Sequence, residues 1–190
     1  MNYLLVFVAA ILTDNLVFTR LLGMEHAMAA ADDPSSALRG GGLVTAVTAI
    51  VGTLTYVLYL FVLRPLSVGF LAIPLCVLLT CAALAALKAA TTENGTRRNF
   101  LHEQIPLCTV NSVILGAVYL AAAQNMNLWR AILLFVCAGV GYTLAALVFA
   151  SVHARLTESD PPAAFAGVPL MLVAAALAVM AFSGFAGLRF

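Results

Sequence analysis

Apolar residues run along this chain in six long blocks that polar loops separate. A transmembrane helix needs about 20 mostly apolar residues to cross the hydrocarbon core of a bilayer, and each block reaches that length. A helix satisfies its own backbone hydrogen bonds, which is what allows a chain to lie in lipid. The pattern therefore predicts an all-α integral membrane protein with six transmembrane helices, near residues 2–22, 40–63, 67–88, 99–122, 128–153 and 163–187.

Clusters of polar side chains interrupt the first and the fourth block. The clusters consist of Thr13, Asp14 and Asn15 in the first block, and of Thr109, Asn111 and Ser112 in the fourth. A buried amide or hydroxyl without a partner costs roughly 2–7 kcal/mol in an apolar medium, so such clusters need a structural reason. Because Thr, Asp and Asn are good helix N-caps, we predict that helices one and four are broken and that a half-helix follows each cluster.

The two polar clusters lie half a chain apart, and a second pattern repeats at nearly the same spacing. Thr13, Asn15 and Val17 recur at an offset of 96 positions, and Phe70, Ile73, Pro74 and Leu75 recur, with Val for Ile, at an offset of 95. We therefore interpret the chain as one membrane domain, 1–190, built from two three-helix repeats of about 1–95 and 96–190. Three helices per repeat make the second repeat inverted, and inverted repeats with interrupted helices build sites near the membrane midplane.

Two local features are also predicted from residue types. The polar residues between positions 24 and 38 indicate a solvated loop after helix one. Pro74 lacks a backbone N–H, so we expect it to kink helix three.

The composition supports a lipid environment. Of the 190 residues, 64% are hydrophobic and only 9% are charged, and the mean hydropathy is +1.07. Soluble domains carry about 25% charged residues, so this chain could not cover a water-facing surface. Its net charge of +1 gives no basic surface for nucleic acid.

The cysteines lie in the apolar blocks, at positions 76, 81, 108 and 137. This placement argues against a disulfide framework, which belongs to small secreted domains. A buried free cysteine behaves as a small hydrophobic residue, so we predict core packing for Cys76, Cys81 and Cys137.

Lysine and arginine are unevenly divided between the two sides of the predicted bundle. The loops after helices one, three and five hold or adjoin Arg20, Arg39, Lys88, Arg97, Arg98 and Arg155, whereas the opposite side has Arg64, Arg130 and Arg189. Positive residues favour the cytoplasmic side, so we predict cytoplasmic odd-numbered loops and both termini outside.

Four stretches resemble the membrane subunits of the Rnf and Nqr electron-transport complexes. Residues 14–23, Asp-Asn-Leu-Val-Phe-Thr-Arg-Leu-Leu-Gly, are similar to the family's Asn-Asn-Phe-Val-Leu-x-Lys-Phe-Leu-Gly. Residues 105–116, Ile-Pro-Leu-Cys-Thr-Val-Asn-Ser-Val-Ile-Leu-Gly, are similar to its Leu-Pro-Leu-Ile-Thr-Thr-Asn-Cys-Ala-Val-Leu-Gly. Residues 160–167 and 180–187 resemble the ending of the RnfA proteins and of their Nqr counterparts, the NqrE proteins. The likeness covers essentially the whole chain.

The resemblance implies a six-helix, non-catalytic subunit of an ion-translocating ferredoxin:NAD oxidoreductase in a prokaryotic inner membrane. In that family two such subunits pair with opposite topology and share an intramembrane 2Fe-2S cluster, to which each half-helix motif gives a cysteine. The cluster passes electrons between flavin-bearing subunits on the two sides, and further iron–sulfur subunits complete the complex.

This chain departs from the family at both cysteine positions. The first position, two residues after the motif glycine, is Glu25, and the second, directly after the motif asparagine, is Ser112. Iron–sulfur clusters are held mainly by thiolates, so we predict that this chain does not ligate a cluster in the family's way. Cys108 lies four residues before Ser112, on the same face of a helix, and is the alternative candidate ligand.

Several roles stay open from the sequence. Asn15 and Asn111 either shape an electron or ion site or cap the half-helices, and we favour capping. Asp14 either binds a cation or pairs with Arg20. The alternative to the redox-complex function is a stand-alone or repurposed transporter that uses the inverted-repeat cavity for a small solute or ion.

Overall fold

The structure is a computed structural model that describes residues 11, 15–29, 34–90, 111–157, 162 and 167–184. Within these ranges the chain forms helices and turns, and no strand occurs. The α-helices described are α1 (Leu16–Arg20), α2 (Met24–Ala29), α3 (Pro34–Leu58), α4 (Ala72–Ala90), α5 (Ser112–Ala123), α6 (Leu128–Thr157) and α7 (Val168–Ser183). A π-helical turn, Tyr59–Leu63, extends α3, and a 3-10 turn, Gly69–Leu71, leads into α4.

Among the residues that the structure describes, three stretches are long and apolar enough to cross a membrane: Pro34–Leu63, Gly69–Ala89 and Leu128–Leu156. Helices α5 and α7 are also apolar but shorter, with 12 and 16 residues. At a rise of 1.5 Å per residue, α5 spans only about 18 Å of the roughly 30 Å core. The prediction of an all-α, multi-pass membrane protein is confirmed. The count of six helices and the inverted relation of the repeats stay predictions, because residues 1–10 and 91–110 lie outside the described ranges.

Two local predictions were wrong. In place of a solvated loop over residues 24–38, α2 occupies Met24–Ala29 and α3 already begins at Pro34. A proline suits the first turn of a helix because its missing N–H would have no partner there. For the same reason Pro74, which lies in the first turn of α4, does not kink that helix in its middle.

The predicted core packing of the cysteines holds for two of the three. Cys76 and Cys137 are buried, whereas Cys81 is exposed on α4. Lipid tails are as apolar as a protein interior, so an apolar segment alone cannot show which of its faces meets protein.

Helices α3 and α6 form the most extensive helix pair in the described part of the chain. Gly41 of α3 faces Thr143 of α6, and Gly139 of α6 faces Thr45 of α3. The two threonine hydroxyls lie 3.0 Å apart, and each also lies within hydrogen-bond distance of the glycine carbonyl four residues earlier in its own helix. Because a hydroxyl has one hydrogen, a threonine that donates to the other hydroxyl does not donate to its own glycine carbonyl. Small residues let membrane helices approach closely, and this reciprocal contact brings the two helices together.

Helix α1 is too short to be stable alone and is held by aromatic packing. Phe18 is buried, stacks on Phe182 of α7 with ring centroids 4.0 Å apart, and lies 5.9 Å from Phe149 of α6. Aromatic pairs at such distances stabilise beyond the area that they bury. The packing therefore fixes the first polar motif against the second half of the chain.

Candidate functional site

The two half-helices begin in the same way. Asn15 caps α1 and Asn111 caps α5, each with an extended backbone, and each side-chain oxygen accepts a hydrogen bond from the backbone N–H two residues later at 3.0 Å. The amide oxygen satisfies a donor that has no partner within the helix. Both asparagines therefore act as N-caps, as the sequence favoured. That helices one and four are broken before them stays a prediction, because residues 12–14 and 91–110 lie outside the described residues.

Asn15 also ties the first motif to the second half of the chain. Its side-chain amide donates to the backbone carbonyl of Gly141 in α6 at 3.1 Å, and both residues are buried. A Cβ added at Gly141 would lie 3.1 Å from the Asn15 amide nitrogen, so the glycine leaves room for this contact. The same side chain thus acts as a helix cap and as a bond between distant segments.

A tight turn follows α1 and brings the chain back to the second motif. Leu21 and Gly23 have φ values of 58° and 74°, and the Gly23 N–H donates to Ser112 Oγ at 2.7 Å. A Cβ at Gly23 would come within 2.5 Å of Val113 Cγ2 and 2.9 Å of Asn111 Oδ1. Both the left-handed backbone and the close approach to α5 therefore require glycine at this position.

The turn places Glu25, at the start of α2, beside Ser112, at the start of α5. Ser112 Oγ donates to Glu25 Oε1 at 3.1 Å, and His26 Nδ1 lies 3.0 Å from the same carboxylate oxygen. The structure thus joins the two positions at which the resemblance implies cysteine. We call these two residues the Glu25–Ser112 pair.

The carboxylate of Glu25 is stabilised in its charged form. Partial burial raises its pKa, but hydrogen bonds from its own backbone N–H, His26 and Ser112 outweigh burial and leave the pKa below the ordinary value of 4.5. The first turn of a helix also favours a negative charge, and Glu25 lies in the first turn of α2. The site therefore carries an anion at neutral pH, with 59% of the Glu25 side chain exposed.

An open cleft of about 420 Å³ adjoins the pair on the side of α5. Ser112 lies at one end of it, Arg20 at the end of α1 lines it, and the rest of the lining is mostly apolar, including Tyr119, which is 62% exposed. The residues that line the cleft thus combine two hydroxyls, those of Ser112 and Tyr119, and the Arg20 guanidinium with an apolar wall.

The structure describes four of the eight residues that the sequence singled out. Asn15, Asn111, Ser112 and Glu25 form the site above, whereas Thr13, Asp14, Cys108 and Thr109 lie outside the described residues. Sequence reasoning gave no role to Gly23 and treated His26 only as part of a loop. The signal for Gly23 was its place at the end of the first family-like motif, where a backbone donor meets Ser112.

Comparison with known proteins agrees with this architecture. Residues 3–189 match the family described as "Rnf-Nqr subunit, membrane protein". The chain belongs to the Rnf-Nqr family of membrane subunits. Family members from two bacteria show how far the similarity extends. The A subunit of the Na⁺-translocating ferredoxin:NAD⁺ oxidoreductase complex of Acetobacterium woodii is 31% identical, covering 100% of this chain and 99% of its own length. The A subunit of the ion-translocating oxidoreductase complex of Syntrophotalea carbinolica is 32% identical, covering 98% of this chain and 97% of its own length.

A thiolate-held iron–sulfur cluster does not fit the residues of this Rnf-Nqr family member at the two positions. The donors present are a carboxylate and a hydroxyl, whereas soft thiolates are what select iron–sulfur chemistry. Both donors are also engaged with each other rather than directed at a common empty point. No step of electron transfer is therefore derived through this pair.

Proposed function

We propose that this chain is a membrane subunit of an Rnf-type ion-translocating ferredoxin:NAD oxidoreductase complex. The observation that carries the proposal is the family match over residues 3–189, together with relatives named as the A subunit of such complexes, which cover nearly the whole chain at about 30% identity. The chain acts as a non-catalytic scaffold, and it contributes to the transmembrane electron path through its position between partner subunits.

The partner of this chain is a second six-helix subunit of opposite topology, and flavin-bearing and iron–sulfur subunits complete the assembly. Support comes from the surface around the polar site. Leu21, in the turn before Gly23, and Tyr119, which lines the cleft beside Ser112, expose 53% and 62% of their surface. A partner subunit that covers this apolar wall would remove it from lipid. Lipid covers the remaining apolar faces.

We assign the chain to the prokaryotic cytoplasmic membrane with both termini outside. The excess of lysine and arginine near the odd-numbered loops supports this orientation. Single cysteines placed in the loops after helices two and three, in a cysteine-free background, would react with an impermeant maleimide from opposite sides of the membrane. The loop after helix three, 89–98, is expected to be labelled only after permeabilisation.

The complex is tested by purification of this chain from its native membrane with an affinity tag and a mild detergent. We expect flavin-bearing and iron–sulfur subunits to co-purify, and deletion of the gene to abolish ferredoxin-dependent NAD reduction by membranes. A chain that purifies alone as a stable monomer, with unchanged membrane activity after deletion, would support the stand-alone transporter instead.

A further inference from the structure

We infer that hydrogen bonds at the Glu25–Ser112 pair, and not a metal, hold the two half-helix motifs together, and we call these bonds, from Gly23 to Ser112 and from Ser112 to Glu25, the fastening. We also infer that this chain gives no ligand from these positions to an iron–sulfur centre. The first part rests on the contacts of the chain itself. The second part rests on the proposed function, because a shared centre exists only within the complex.

The hydrogen and one lone pair of the Ser112 hydroxyl are engaged in the two bonds of the fastening. A serine hydroxyl has one hydrogen to donate and two lone pairs to accept with. The hydrogen goes to Glu25 Oε1 at 3.1 Å, and one lone pair accepts the Gly23 N–H at 2.7 Å. To bind a metal as an alkoxide, Ser112 would have to lose the proton that holds the carboxylate.

The carboxylate of Glu25 is oriented from two sides. Oε1 faces both Ser112 Oγ and His26 Nδ1, so the carboxylate is oriented towards the start of α5 although 59% of the side chain is exposed. Carboxylate oxygens are hard ligands and suit cations other than the iron of a sulfur cluster. The pair therefore has the opposite chemical character to a pair of thiolates.

The position of the fastening gives it a structural task. The turn at residues 21–23 reverses the chain through two left-handed residues, and strained turns persist only where the surroundings hold them. The bonds from Gly23 to Ser112 and from Ser112 to Glu25 connect the end of this turn and the start of α2 to the first residue of α5. In the absence of a cluster, these bonds join the two motifs directly.

The fastening is tested with Ser112→Ala, Glu25→Ala and the double variant, each purified with whatever subunits accompany the tagged chain. Ser151→Ala is the matched control, because among the described residues the exposed Ser151 hydroxyl bonds to the carbonyl four residues earlier in its own helix and to no distant segment. We expect each site variant to lower the thermal midpoint in detergent by several degrees, and the double variant to lower it by less than the sum of the two. The control should stay within about one degree.

The iron content of the purified complex is the second measurement. Glu25→Gln is included in case an alanine variant fails to fold, because the glutamine side-chain oxygen can still accept the hydrogen bond from Ser112. We expect iron per complex to be unchanged in all folded variants, and the midpoint of the wild type to be unaffected by an iron chelator with reductant. Additive single and double effects, or no loss of stability, would overturn the fastening. Loss of iron in Ser112→Ala or Glu25→Gln would overturn the absence of ligation. If the tagged chain purifies alone, the proposed function fails. The thermal midpoints of the single and double variants still show whether the fastening stabilises the chain.

Discussion

The Ser112 hydroxyl donates a hydrogen bond to the Glu25 carboxylate across 87 positions of sequence, with 3.1 Å between the two oxygens. The bond connects α2, which follows the turn after α1, to α5, which begins at the second polar motif. Because the family resemblance implies a cysteine at each of these positions, the contact shows that they lie side by side in the fold. A polar pair thus stands where the family resemblance implies thiolates.

Removing the Asn15 side chain should destabilise the protein through two lost bonds. Asn15→Ala removes the cap of α1 and the bond to the Gly141 carbonyl, and we expect a loss of about 2 kcal/mol from these terms together. Asn15→Asp is the matched comparison, because aspartate still caps the helix but turns an oxygen towards that carbonyl. Thermal or denaturant unfolding in detergent measures both. If Asn15→Asp is as stable as the wild type, the bond from Asn15 to the Gly141 carbonyl does not contribute to stability.

Gly23 should tolerate no side chain, for a steric reason beyond its backbone. Gly23→Ala places a Cβ 2.5 Å from Val113 Cγ2, whereas Gly167, with a φ of 82°, has nothing within 4 Å of an added Cβ. Gly167→Ala should therefore cost only its positive-φ backbone, which at a ψ of −129° is a region that few residues other than glycine adopt, about 1–3 kcal/mol, whereas Gly23→Ala adds a steric clash with α5 and should cost more. The yield of folded protein and the thermal midpoint compare them. Equal losses in the two variants would mean that the contact of Gly23 with α5 is not tight.

The crossing of α3 and α6 should depend on Gly139. Gly139→Ala brings a Cβ within 2.6 Å of the Thr45 Cα, a backbone atom that cannot move aside alone, so we expect a loss of about 1–3 kcal/mol. Gly42→Ala is the control, because an added Cβ there meets nothing within 4 Å, and alanine in a helix is favoured by about 0.5–1 kcal/mol. The free energy of unfolding of each purified variant shows whether Gly139→Ala is less stable than Gly42→Ala. A Gly139→Ala protein as stable as Gly42→Ala would contradict the close crossing.

Acid should weaken the contact between the two motifs. The pKa of Glu25 is below its ordinary value of 4.5, so ionised Glu25 stabilises the folded state fully above pH 4.5. That contribution is lost as the pH falls below 4.5 through the pKa of the folded state. The thermal midpoint measured between pH 7 and pH 3 should therefore fall more steeply in the wild type than in Glu25→Gln. Parallel curves would show that the Glu25 charge does not stabilise the fold.

Much of the fold class followed from local and compositional information. The apolar blocks predicted the long helices because a backbone in lipid must close its own hydrogen bonds, and the three long spans begin or end close to the predicted positions. The caps were also predictable, since Asn15 and Asn111 bond to N–H groups only two residues away. Interactions between residues this close along the chain can be predicted from the local sequence.

The tertiary structure decided the individual contacts between distant residues. The family resemblance implies that positions 25 and 112 lie at one site, but no spacing rule predicts the bond from Ser112 to Glu25, the donation from Gly23 or the bond from Asn15 to Gly141, which join residues between 87 and 126 positions apart. The exposure of Cys81 could not be predicted either. Lipid and protein interior are equally apolar, so hydropathy shows that a helix is in the membrane but only packing determines which of its faces meets protein.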